Sequence, residues 1–388
     1  MIDDIITMDV CGKDSVKSNA IINAFVEGKK QSFGIKKCHK MHIGQNQNVC
    51  QTLNVHGSPM EDSRAEKYLG DVISDNGKND DNLKERKNKA WGIVSQILAI
   101  LEEVPFGKFE IEAALIMRNS MFINGILTNI EVRYGLKKEY LESLEKIDEY
   151  LLRKIFKTGS KVPKESLYLE SGAVPITYIV MGRRLNYLHH ILSRDEKELI
   201  SQVYHAQKHK PVKNDWFVQV QSDKVETKLN MNDEEIKRMK KQKFKIIVKE
   251  KVKKLAFENL LIIKSAHSKG KEAKFKKLEK QEYLKSKLLT KKQKSLLFNL
   301  RFRMTKMKIN FKNMYTEYTC DLCKNEEDSI QHCLECPVLI SNCADLYNDR
   351  IVNFNDLFGS LEKQIRAIKL YEKILIKREE LLEKILTV

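Results

Sequence analysis

Apolar residues follow two regimes along the chain. Up to about residue 75 they come in short, β-branched runs broken by turn formers; further on they recur at three- and four-residue spacing. Residues 1–12 (MIDDIITMDVCG) read as a strand, a tight turn and a second strand around two adjacent Asp. A helix is expected over 18–27, a loop after it, and another strand over 35–43. Residues 65–74 (AEKYLGDVIS) read as a strand carrying Tyr68, Leu69, Val72 and Ile73, closed by the turn Asp75-Asn76-Gly77. Then the period changes. Ile93, Ile97, Ile100, Leu101 and Val104 predict a helix over 91–104, stopped by Pro105. Further helices are predicted over 109–127, 140–156 and 176–192, with a breaker at 159–163 and a short segment, SLYLESGAVP, before the last. Their stripes can bury one another, which predicts a compact helical domain over 82–205.

Residues 206–232 are polar, contain Pro211, and read as a linker on which Trp216 and Phe217 dock locally. Over 233–312, Phe244, Val248, Val252 and Leu255 stand among lysines at the spacing of long amphipathic helices. A cysteine-rich module is expected over 313–345 and a final helix over 346–388. The fold class is therefore α+β, predominantly α-helical.

Charge sharpens this picture. Residues 233–312 hold 27 Lys or Arg against 8 Asp or Glu, a surplus larger than the +17 of the whole chain. The rest of the chain is close to neutral, so the expected partner is polyanionic (RNA, DNA or an RNA–DNA hybrid) and its contacts lie in this segment. Arg301 and Arg303 interleave with Phe302 and Met304 and, with Lys306 and Lys308, are the candidate contact residues. Tyr315, Tyr318 and Phe311 serve either base stacking or packing; Trp91 and Trp216 are assigned to packing. No stretch reaches the roughly 18 to 20 apolar residues of a membrane span. Asp3, Asp4, Asp9 and Asp14 make the start unlike a secretory signal, so a nuclear or cytoplasmic location is expected.

Cysteines cluster late: Cys320, Cys323, Cys333, Cys336 and Cys343. The run Cys320-x2-Cys323-x8-His332-x3-Cys336 has the spacing of a zinc site. Two thiolates two residues apart can share a tight turn and one centre. Asp328 or Ser329 can cap a short helix that carries His332 and Cys336 one turn apart on one face. A structural Zn²⁺ with three sulfurs and one nitrogen is expected, with no position left for water. Cys333, about 100° round that helix, is the reserve ligand. Cys38, His39, His42 and Cys50 form a looser second set.

Three other features fall in one order: Ile2-Asp3-Asp4, then Lys36-Lys37-Cys38, then Lys67-Tyr68-Leu69-Gly70. That order resembles the end of the palm of a reverse transcriptase of the non-LTR, LINE-like retrotransposon type. The resemblance implies that Asp3 and Asp4 belong to the aromatic-x-D-D catalytic box. It also implies that Lys36 and Lys37 lie in the following palm motif, and that Tyr68, Leu69 and Gly70 belong to the hairpin gripping the primer end. The helices beyond, including LRKIF, LYLESGAVPI and RRLNYLHHIL, resemble thumb and connector, and terminal Cys-Cys-His-Cys modules are common in such elements. The implied layout is a partial palm over 1–80, thumb and connector over 82–205, basic helices and a zinc module.

Met1 stands where the family carries an aromatic residue, so the expectation is a fragment without fingers, endonuclease or the upstream palm carboxylate. Mg²⁺ would then be held only if the palm were completed, because two-metal chemistry needs that further carboxylate. A zinc-containing RNA/DNA-binding protein without enzymatic activity and a helical interaction module are the other readings. The chain is expected not to extend a primer on an RNA template with Mg²⁺; robust extension abolished by Asp3→Ala would overturn this.

Overall fold

The computed structural model describes residues 5–9, 12–43, 52–68, 70–103, 111–265, 267, 271–311, 313–344 and 352–386. It is 63% helix and 5% strand, so helices carry the core and strands only decorate it. Among the described residues the strands form two-stranded pairs. His39–Lys40 pairs with Glu61–Asp62 in parallel, while Asn54–Val55 with Ser58–Pro59 and Ala65–Tyr68 with Asp71–Ser74 are antiparallel. Residues 5–9 have no regular structure, in place of the expected strands; no partner strand is present among the described residues to complete their hydrogen bonds. The expected strand over 35–43 is a short helical turn, Ile35–Lys37, followed by His39–Lys40.

Residues 65–74 are a hairpin, not one strand. Gly70 takes φ +82°, a left-handed conformation that costs glycine little and reverses the chain. Buried Asp71 then anchors the hairpin to the helical body. Its carboxylate accepts from Arg86 Nη2 and Arg133 Nε, each at 2.9 Å, and from Asn82. Arg86 also donates to the carbonyls of Ile126 and Thr128, so one guanidinium joins three segments.

Helices Lys138–Phe156 and Ile176–Leu192 lie where the three- and four-residue spacing put them, whereas the helix expected over 91–104 begins eleven residues earlier and spans Asp80–Glu103. The helix beginning at Ile111–Met117 widens into a π-turn over Arg118–Ile123. There Arg118 is buried and pairs with Asp148, which also accepts from Tyr168 Oη. Within the expected short segment 166–175, residues up to Ser171 belong to a helix, Lys164–Ser171.

The expected linker over 206–232 contains a folded helix that contributes to a core, while 208–214 are exposed. Helix Trp216–Glu226 buries Trp216, whose Nε1–H donates to the Glu131 carbonyl at 2.6 Å. The Trp216 ring meets those of Tyr187 and Tyr204 edge to face. Polar composition misled here because the helix is half solvated: Val220 and Asp223 point inward, and Asp223 pairs with Arg184.

Helix Lys241–Ser265 buries Phe244, Val248, Val252, Ala256, Leu260 and Lys264, every fourth residue, and lies antiparallel to Ile176–Leu192. Its first half closes a core with Leu185, Leu188, Tyr204 and Trp216. Its second half enters a larger core that runs without a break into Cys320, Cys333, Cys336 and helix Leu361–Leu386.

Two contacts knit the segment 278–302 to the Lys164–Ser171 helix. Buried Arg301 donates to Glu170 Oε1 at 2.9 Å and to the Leu357 carbonyl at 2.7 Å. Gly172, at φ +68°, lets the backbone of Glu279 and Lys280 pass so closely that an added Cβ would fall 2.2 Å from the Lys280 nitrogen. Gly172→Ala is therefore expected to cost about 3 kcal/mol or more, combining left-handed strain and overpacking against backbone. Equilibrium urea unfolding measures it.

Candidate metal centre and nucleic-acid interface

Cys320, Cys323, His332 and Cys336 converge, with their donor atoms all within 4.8 Å of one another. A tetrahedral site with metal–sulfur bonds of about 2.3 Å sets its sulfurs roughly 3.8 Å apart, so the cluster needs only slight contraction to hold an ion.

Local chain geometry explains the convergence. Thr319 bridges Glu327, Cys320 N donates to the Glu326 carbonyl, and Asp328 N to that of Tyr318, forming a short ribbon. Lys324 turns the chain at φ +58° and its N–H returns to the Cys320 carbonyl. Within this turn each sulfur collects amide N–H groups: those of Leu322 and Cys323 face Cys320, and those of Asn325 and Glu326 face Cys323. Such donors favour thiolate, the form that binds a metal. Burial opposes the Cys323 thiolate, yet these N–H groups with Cys320 and His332 prevail and bring its pKa down to about 7. At Cys320 burial prevails and lifts the thiol to about 11.

The other two donors come from the next turn. Ser329 Oγ accepts from His332 N at 3.1 Å, opening the short helix His332–Glu335, and Cys336 follows one turn later with Pro337 starting the next helix. His332 Nε2 lies 3.2 Å from Cys323 Sγ. Its Nδ1 has no hydrogen-bond partner among the described residues and sits 3.3 Å from Glu326 Oε2, a carboxylate able to orient the ring. Asp328 is not the cap. It is buried, accepts from Lys308 N and Arg378 Nη2, and ties the turn to helix Leu361–Leu386.

Cys333 is no reserve ligand. It points into the core toward Met307 Sδ, and burial pushes its thiol up to about 12. Of the looser second set, His39 pairs with Glu66, Cys38 donates to the Gly34 carbonyl, and Cys50 lies outside the described residues.

The residues of the palm resemblance are partly placed. Asp3, Asp4 and Leu69 lie outside the described residues. Lys36 and Lys37 are exposed on their short turn, and Tyr68 ends the first hairpin strand before Gly70. Among the expected basic contacts, Arg301 must be withdrawn because its guanidinium is buried against Glu170. Arg303 is held by Glu272 at 2.6 Å and Lys308 by Asp321 at 2.8 Å. Lys306 stays in solvent, 88% exposed, near Glu379.

Within the expected basic segment, the lysines not singled out by sequence lie in a row on helix Lys241–Ser265. Lys241, Lys245, Lys249 and Lys253 repeat every fourth residue beside the buried stripe Phe244, Val248 and Val252. None forms an ion pair among the described residues, whereas Lys254 reaches Glu258 and Lys251 donates to the Lys228 carbonyl. At 1.5 Å per residue the row sets a cation about every 6 Å over roughly 18 Å. Its signal was present: a lysine directly follows each of Phe244, Val248 and Val252.

Cys320→Ser or Cys336→Ser is expected to abolish metal retention and lower the melting temperature, while Cys333→Ala leaves metal content unchanged. Elemental analysis of the purified chain decides. The chain matches no family model, no curated protein and no solved structure.

Proposed function

We propose that this chain holds single-stranded or hybrid nucleic acid by its phosphates. It would do so as the thumb, connector and knuckle portion of a LINE-like reverse transcriptase. The observation that carries the reading is the row Lys241, Lys245, Lys249 and Lys253: cations at about 6 Å intervals, close to the phosphate repeat of an extended strand and without carboxylate partners among the described residues. Mixed Lys/Glu pairing with a partner helix would call for interleaved acids, and Glu250 is the sole carboxylate between Lys241 and Lys253. That weighs against a helical interaction module.

The metal ion in this reading is Zn²⁺. Three thiolates and an imidazole form a soft donor set that would fill a tetrahedral ion's four positions and leave none for water. Its task is structural, fixing the turn that Asp328 and Arg378 join to the last helix. The hairpin at Tyr68 and Gly70 supports the primer-grip assignment, since Asp71 locks it to the helices that would carry the thumb. Mg²⁺ at Asp3 and Asp4 would require a complete palm.

Binding to a labelled single-stranded RNA is expected to fall steeply with salt. Replacing the four lysines by Ala should reduce the slope of log K against log salt by about 3 and weaken binding alike for unrelated sequences. An unchanged slope would refute the assignment of the row.

A further inference from the structure

The chain has two tryptophans, and they are treated oppositely. Trp216 is buried and hydrogen-bonded, whereas Trp91 is 45% exposed and its Nε1–H has no partner among the described residues. Beside it, Tyr150 on helix Lys138–Phe156 is 38% exposed, and the two rings meet edge to face at 5.3 Å. Both rings therefore leave a large part of their surface to solvent. Gly92, the exposed neighbour of Trp91, leaves open space where a side chain would rise, since a Cβ there meets nothing within 4 Å.

The surroundings are cationic. Lys87 lies one turn before Trp91, and Lys146 and Lys154 lie one turn either side of Tyr150 on the same helix face. Lys154 Nζ stands 5.3 Å over the Tyr150 ring. These three lysines are exposed and form no ion pair among the described residues. Nearby acids are already engaged: Glu85 with Lys67 at 2.6 Å, and Glu149 with Arg153 at 2.7 Å.

We propose that Trp91 and Tyr150 form a base-stacking platform for single-stranded nucleic acid, with Lys87, Lys146 and Lys154 taking the adjoining phosphates. An aromatic face alone would equally suit a protein. The lysine surround selects a ligand that presents flat apolar surfaces and regularly spaced anions together, and bases on a phosphodiester strand do so. The inference rests on the nucleic-acid reading above and adds a second contact surface on different helices.

The test compares a 20-nucleotide oligothymidylate with an abasic strand of equal length and charge, using the full chain. Stacking on Trp91 should quench tryptophan fluorescence, because Trp216 is sheltered, and only the base-bearing strand should do so. That strand should bind about five- to a hundredfold more tightly than the abasic one, the advantage disappearing in Trp91→Ala and surviving in Trp91→Phe. Far-ultraviolet circular dichroism of Trp91→Ala should match the parent. Equal affinity for the two strands, with no quenching, would overturn the platform and leave the Lys241–Lys253 row standing. If Trp91→Ala weakened both strands alike, a structural role for Trp91 would replace the platform. Absence of salt-dependent binding to either strand would overturn both this inference and the nucleic-acid reading, leaving the aromatic face to a protein partner.

Discussion

Helix Lys241–Ser265 places its buried side chains at every fourth position, and much else depends on that single stripe. A four-residue repeat advances 40° per step relative to an ideal helix, so the stripe winds as it runs. It must therefore be covered by different partners at its two ends. The first half meets Leu185, Leu188 and Trp216, and the second half joins the core that reaches the cysteine cluster. Because the lysines share the same repeat, they wind with the stripe and stay beside it, with Lys241, Lys245 and Lys249 exposed and Lys253 half-buried. Burial of Phe244, Val248 and Val252 thus determines which cations face solvent.

The cysteine module draws its stability from the same continuity. Cys320, Cys333, Cys336 and Leu339 are packed in the larger core, not set apart as an appendage. Asp328 has both carboxylate oxygens occupied, by Arg378 from the last helix and by the Lys308 N–H from the segment before the knuckle. A bound ion would fix one side of this turn and the Asp328–Arg378 pair the other. The ion then has little surface to organise beyond its four ligands, because neighbouring packing already defines Ile330 and Leu339.

Periodicity made the long helices legible, and helix Ile176–Leu192 falls at the residues its spacing indicates. The four-ligand cluster was legible too, since two short-range spacings had only to meet. Pairing partners were not. The hairpin at Gly70 was implied by the palm resemblance alone, because the apolar pattern does not give its φ, and the fold of 216–226 depends on Tyr187 and Tyr204 closing over Trp216. Trp91 looked like core because large aromatics usually are; its exposure follows from which face of Asp80–Glu103 the neighbouring helices cover.

The basic surplus divides by residue type. Buried arginines Arg86, Arg118, Arg184, Arg301 and Arg378 each face a buried carboxylate: Asp71, Asp148, Asp223, Glu170 and Asp328. A guanidinium is weakly hydrated and matches a carboxylate with two parallel donors, so it tolerates the interior better than an ammonium does. Lysine keeps its hydration and stays outside, with Lys264 and Lys294 the buried exceptions among the described residues. Lys264 recovers part of its lost hydration by donating to the Ala273 carbonyl at 2.7 Å, and burial still lowers its pKa. A basic surplus in a folded chain therefore has to be divided before it is assigned to a polyanion. The arginine share goes first to internal pairing, and what remains for phosphates is mainly lysine. On this chain that division pairs Arg301 with Glu170 in the interior and leaves the ammonium row from Lys241 to Lys253 without ion pairs among the described residues.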